Sequence, residues 1–146
     1  RIYLTGLSMG GFGAFDLAAR RPTQFACVVP ICGGGDPKTA AVLASTPFYI
    51  VHGRDDSVVP AALSRTMNEA IVKASSDRTR DGRDVAPDAG GASVPVTAPK
   101  HAPNPMYAEY AGVGHDAWTP AYRLGDAGVL DWMFAQRKRG AGDAAR

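Results

Sequence analysis

Gly6-Leu7-Ser8-Met9-Gly10 constrains this chain more than any other stretch. The pentapeptide is entered from the apolar run Ile2-Tyr3-Leu4 and leads at once into residues of helical character, so it joins a strand to a helix with a serine at the corner. Such a corner holds the serine hydroxyl clear of the sheet edge. Gly6 and Gly10 are expected there because side chains two residues to either side of the serine would collide. Ser8 is therefore the candidate nucleophile. In a chain with 17 glycines the pentapeptide alone says little, and its flanks are what make it informative. Phosphate-binding readings fail. A P-loop requires Lys-Ser/Thr after its second glycine, where Phe12 follows Gly11, and a dinucleotide fingerprint requires glycine where Ser8 stands.

A serine nucleophile needs a base, and the base needs an acid, which follow in the chain order serine, acid, histidine. Phe48 to Val51 is a continuous apolar run, as a strand buried on both faces of a parallel sheet requires. The loop after it carries Asp55 and Asp56 at the carboxyl end of the strand, where open α/β sheets place their chemistry. Tyr107 to Val113 reads as a further strand, with Gly114-His115-Asp116 directly after it. Ser8, an acid at 55 or 56, and His115 thus all fall just past strand ends, in order.

With these pieces in place, the chain resembles the α/β-hydrolases, and within them the carboxylesterase and predicted-peptidase group related to dienelactone hydrolases and polyhydroxybutyrate-depolymerase-like esterases. Four blocks carry the resemblance: Gly6 to Gly11, Pro30-Ile31-Cys32-Gly33-Gly34-Gly35-Asp36-Pro37, the H-G-x-x-D-x-x-V-P block from His52 to Pro60, and the segment 112–120 with His115 and Trp118. The resemblance implies a mostly parallel sheet with flanking helices. It also implies Asp56, rather than Asp55, as the acid of a Ser8–Asp56–His115 triad.

In such a triad His115 takes the proton of Ser8 during attack and returns it to the leaving group, as an imidazole near neutrality can. The carboxylate fixes the tautomer of the ring. The backbone N–H of Met9 is the expected oxyanion donor, and Trp118 is a candidate wall of the substrate pocket. His52 is read as ending a strand and making structural hydrogen bonds to the loop, His101 as solvated, and Asp116 as a turn former or cap. The 3 histidines form no metal-ligand pattern, and no cofactor or metal is expected. Cys27 and Cys32, five apart along one apparent strand, are expected to point to opposite faces as small buried residues.

Strands and helices alternate along the chain, which implies a parallel sheet. Expected strands are Ile2 to Gly6, Ala26 to Cys32, Phe48 to Val51 and Tyr107 to Val113. Gly10 to Arg20 reads as a helix that presses Gly10, Gly13 and Leu17 against the sheet, and Pro37 to Ala44 as a short helix. Pro60 is expected as the first residue of a helix that buries Leu63, Met67, Ala70 and Ile71. A closing helix from about Asp126 to Gln136 buries Val129, Trp132 and Met133, with Arg137-Lys138-Arg139 as its frayed end. Residues 74–105 break the pattern: they hold five of the 11 prolines and, apart from three valines, no bulky apolar side chain, so they read as a mobile insertion.

Sixteen basic and fourteen acidic residues leave a formal charge of +2, too little for an electrostatic nucleic-acid binder. No apolar run approaches the roughly 20 residues of a membrane span. The resemblance places further strands and the second oxyanion donor ahead of the elbow strand, so residues 1–146 are expected to be the C-terminal half of a larger catalytic domain. It is compatible with secretion or a periplasmic location, and it leaves the oligomeric state open. The expected activity is hydrolysis of small or polymeric carboxylic esters through an acyl-serine. A prolyl-oligopeptidase-like peptidase, or a non-catalytic fragment without the upstream loop, are the alternatives.

Overall fold

The two central strands are buried at every position and need cover on both faces, which the chain folds to provide. The computed structural model describes residues 1–80, 104–123 and 128–137. Four strands, β1 (Tyr3–Leu7), β2 (Cys27–Ile31), β3 (Tyr49–Gly53) and β4 (Met106–Tyr110), form one parallel sheet in the order β1-β2-β3-β4. Between them run α1 (Met9–Arg20), a 3₁₀ turn (Pro37–Thr39) leading into α2 (Ala40–Leu43), and α3 (Ala62–Arg80). Two short helices follow, α4 (Trp118–Ala121) and α5 (Val129–Ala135). This is the α/β architecture expected from the alternation of elements.

Period-2 alternation sorts the strand residues between two cores. Val28, Phe48 and Ile50 pack with Ala14, Phe15 and Ala18 of α1, Leu43 of α2, and Met67 and Ile71 of α3. Cys27, Val29, Ile31, Tyr49 and Val51 pack on the other face with Ala117, Ala121, Val129, Trp132 and Met133. Phe15 stacks on Phe48 at 5.6 Å between ring centroids, and Trp132 meets Tyr49 edge-on at 5.4 Å.

Several expectations are corrected by the packing. The face that α1 turns to the sheet is Gly11, Ala14, Phe15 and Ala18; Gly10 and Gly13 have open space around them, and Leu17 is exposed. Pro60 lies two residues before α3, accepting from the Leu63 N–H, and Leu63 points outward while Ser64 takes the buried position. The strand expected over Tyr107 to Val113 is Met106–Tyr110. Cys27 and Cys32 share one core, because β2 ends at Ile31 and Cys32 adopts φ +48°, which turns its side chain out of the strand alternation. Both cysteines are free and buried.

The segment 74–105 is not one irregular insertion either. Helix α3 continues through 74–80, and at the far end Asn104, ahead of a cis bond to Pro105, is tied to the sheet. Residues 81–103, with His101, lie outside the described residues, as do 124–127 and 138–146 with the start of the expected closing helix and most of its basic end. Asn104 Oδ1 accepts from the Phe48 N–H at 2.8 Å, while its Nδ2 donates to the carbonyls of Thr46 (3.0 Å) and Ala44 (3.3 Å). This one side chain thus joins the start of β4 to the turn that delivers β3. Asn104→Ala leaves the Phe48 N–H without its acceptor and is expected to destabilise the chain by about 1–3 kcal/mol. Urea unfolding checks this: the midpoint falls at unchanged slope, whereas an unchanged midpoint contradicts the role given to Asn104.

Candidate active site

The carboxyl ends of β1, β3 and β4 bring Ser8, Asp56 and His115 together. Ser8 sits between β1 and α1 with φ +54° and ψ −120°, a conformation that costs a non-glycine residue about 1–3 kcal/mol and persists only where neighbours enforce it. The neighbours are visible. The Ser8 N–H donates to the Ile31 carbonyl at 2.9 Å, and the Ser8 carbonyl accepts from the N–H groups of Gly11 (2.8 Å) and Phe12 (3.2 Å).

Of the two glycines expected to be steric requirements, Gly6 is one. A Cβ there would lie 2.1 Å from the Gly10 carbonyl oxygen. A Cβ on Gly10 would meet nothing within 4 Å, so the second requirement falls instead on Gly11, whose Cβ would lie 2.6 Å from the Ile31 carbonyl oxygen. The elbow is pressed onto the end of β2.

Ser8 Oγ lies 2.9 Å from His115 Nε2, and His115 Nδ1 lies 2.8 Å from Asp56 Oδ2. Asp56 Oδ1 accepts from the N–H groups of Val58 (2.8 Å) and Val59 (2.9 Å), which fixes the carboxylate. Asp55 is exposed, and its own N–H donates to the Val113 carbonyl at 3.0 Å, pinning the acidic loop to the loop that carries His115. Met9 is the first residue of α1, with its side chain in solvent. Trp118 meets His115 edge-on at 5.3 Å, and its body packs on the core below. Asp116 accepts from the backbone N–H and hydroxyl of Thr119 and so closes the turn into α4.

A second serine–histidine pair meets the same carboxylate from beneath. His52 Nε2 is 3.2 Å from Asp56 Oδ2 and 2.9 Å from the Val59 carbonyl, and its Nδ1 is 2.7 Å from Ser64 Oγ. His52 and Ser64 are both fully buried, and Ser64 Oγ donates to the Gly33 carbonyl at 2.8 Å. Access separates the pairs: the His115 side chain is 23% exposed and that of His52 is 0%. The sequence marks His52 as a structural residue at a strand end, where β3 places it, and gives no sign of Ser64, whose burial follows from the phase of α3.

Cys32, Asp56 and His115 carry potential metal-ligating atoms within 4.8 Å of one another. The space between two of them is already filled by the Asp56–His115 hydrogen bond. Burial pushes the Cys32 thiol up, and the thiol donates to the His115 carbonyl at 3.3 Å. Among the described residues, no helix is long and apolar enough to cross a membrane.

Comparison with known proteins places this geometry in context. Residues 1–79 match the model of the dienelactone hydrolase family. Feruloyl esterase D of Neurospora crassa is 30% identical over 95 residues, which are 65% of this chain and 32% of that protein. The crystal structure of a thermostable esterase superposes with a TM-score of 0.70 at 28% identity, over 93% of this chain and 31% of that one. SOBER1 of Arabidopsis thaliana superposes with a TM-score of 0.56 at 14% identity, over 90% of this chain and 51% of that one, and shares the fold alone. The chain spans about a third of the length of its first two relatives.

Burial pushes the Asp56 carboxyl up, but hydrogen bonds from His115 and from the Val59 and Val58 N–H groups outweigh it and hold the group down to about 2. Its ordinary value is 3.8, so the carboxylate contributes stability that is fully present above that value and is lost as pH falls through about 2. The contribution is about 2 kcal/mol. The stability gap between wild type and Asp56→Asn is expected to narrow by that amount between about pH 5 and about pH 2. Denaturant titrations of both chains across that window check it, and a gap independent of pH contradicts it.

Proposed function

Because this chain belongs to the dienelactone hydrolase family, we propose that it is a serine hydrolase of carboxylic esters that works through an acyl intermediate on Ser8. The observation that carries the reading is the accessible relay from Ser8 Oγ through the His115 ring to Asp56, with contacts of 2.9 and 2.8 Å. Ser8 Oγ attacks the ester carbonyl carbon while its proton passes to His115 Nε2. Asp56 accepts a hydrogen bond from the Nδ1–H, which stays on the ring, and stabilises the imidazolium that forms. The oxyanion turns to the Met9 N–H at the start of α1, and to a second donor expected from a loop outside residues 1–146. Collapse expels the alcohol, which takes the proton from His115. Water then enters by the same route in reverse and releases the acid.

In this reading residues 1–146 supply nucleophile, base and acid to a larger catalytic domain. Trp118, edge-on to His115 at 5.3 Å, is the proposed wall of the substrate pocket in this reading. Peptide hydrolysis would use the same three groups; esters are favoured because the relatives carry esterase names. The fully buried Ser64–His52 pair is unsuited to attack, since no substrate carbonyl can reach it and its hydroxyl proton is committed to Gly33.

Incubation with p-nitrophenyl acetate tests the reading. One acetyl group is expected on the Ser8 peptide, with nitrophenolate released in a burst, and Ser8→Ala abolishes both. Asp56→Asn is expected to slow acylation by about 10³–10⁴-fold through loss of the working tautomer. Acetylation at another residue, or undiminished turnover by Ser8→Ala, contradicts the proposal.

A further inference from the structure

The buried pair under Asp56 can be read proton by proton. Ser64 has a single hydroxyl proton, and its Oγ lies 2.8 Å from the Gly33 carbonyl oxygen, which can only accept. That proton therefore points to Gly33. His52 Nδ1, 2.7 Å from the same Oγ, must then bring a proton of its own. On the far side of the ring, Nε2 faces the Val59 carbonyl at 2.9 Å and Asp56 Oδ2 at 3.2 Å. A lone pair at Nε2 would meet two acceptors, so this nitrogen also carries hydrogen. The other titratable groups around the carboxylate are His115, bonded to the same Oδ2, and the neutral Cys32 thiol at the end of β2.

We propose that His52 is a positioning residue for the candidate acid: protonated on both ring nitrogens, it clamps Asp56 from its buried side and anchors it through Ser64 to Gly33. This rests on reading Ser8, His115 and Asp56 as the catalytic relay. The clamp does three things. It pairs the buried carboxylate with a buried cation, without which the lone charge would be costly. It sets the His52 ring 3.2 Å from Oδ2, the oxygen that also accepts from His115, while Oδ1 is held by Val58 and Val59, so the carboxylate is hemmed in on each side in the orientation that faces His115. It also joins acid to nucleophile mechanically. Gly33, which accepts from Ser64, lies so close to the elbow that a Cβ on it would sit 2.5 Å from the Gly11 carbonyl carbon.

The test is ¹H–¹⁵N NMR of the histidine rings in the 146-residue chain, with two variants. His52→Gln keeps an N–H donor at the reach of Nε2; His52→Asn keeps one only at the reach of Nδ1. Protons are expected on both His52 ring nitrogens of wild type. The low-field Nδ1 proton of His115, which reports its bond to Asp56, is expected to persist in His52→Gln and to be lost in His52→Asn. Acylation of Ser8 is expected to slow by about 10- to 100-fold in His52→Asn and to recover in part in His52→Gln, which restores the donor but not the charge, with KM little changed in either. An unprotonated His52 nitrogen in wild type overturns the proposal without recourse to any variant. So does a folded His52→Asn chain that keeps the His115 signal. A wild-type chain with both protons and an intact His115 signal that does not acylate upholds the clamp and overturns the hydrolase reading instead.

Discussion

The Asp56 carboxylate is the joint on which the rest of the site depends. Two backbone N–H groups hold one oxygen, and the rings of His115 and His52 meet at the other. The two backbone donors belong to the loop of Asp56 itself; the rings arrive from β3 and from the loop after β4. A fully buried carboxylate is tolerable only when so surrounded. The surroundings in turn fix where β3, β4 and the start of α3 end relative to each other, so the chemistry and the packing of this corner have one origin.

The candidate nucleophile, Ser8, is set by a different force, close backbone approach. Gly6, Gly11 and Gly33 let β1, α1 and the end of β2 come nearer than any side chain would allow, and the elbow's positive φ at Ser8 is held by that contact and by the bond to Ile31. Gly53 serves the same purpose on the other side, since a Cβ there would lie 1.9 Å from the Gly114 carbonyl oxygen, next to His115. The strained serine and the buried acid thus stand on rigid strand ends, and the His115 loop is pressed between them.

Much of this was legible in the sequence because its signals are local. The apolar runs marked four strands, and Ser8, Asp56 and His115 each follow a strand end in the order that a relay requires. The face of α1 is hard to read because half of residues 9 to 20 are Gly or Ala, so several helical phases look alike and only contact with Gly33 selects Gly11. Cys32 was misplaced because its positive φ answers to tertiary packing rather than to strand period. Helix α3 outruns its expected end because residues 74–80 are polar yet helix-compatible, and averaging them with the proline-rich stretch beyond hid this. Ser64 and His52 carry no motif of their own; their importance arises only when α3 lays one against the other.

Two serine–histidine pairs share one aspartate, and the account turns on which serine is the nucleophile. Fluorophosphonate labelling of the folded chain, mapped by peptide mass spectrometry and repeated with Ser8→Ala and Ser64→Ala, decides this. The account requires a single adduct on Ser8 that Ser8→Ala abolishes and Ser64→Ala retains. An adduct on Ser64, or a folded chain with no adduct at all, contradicts it.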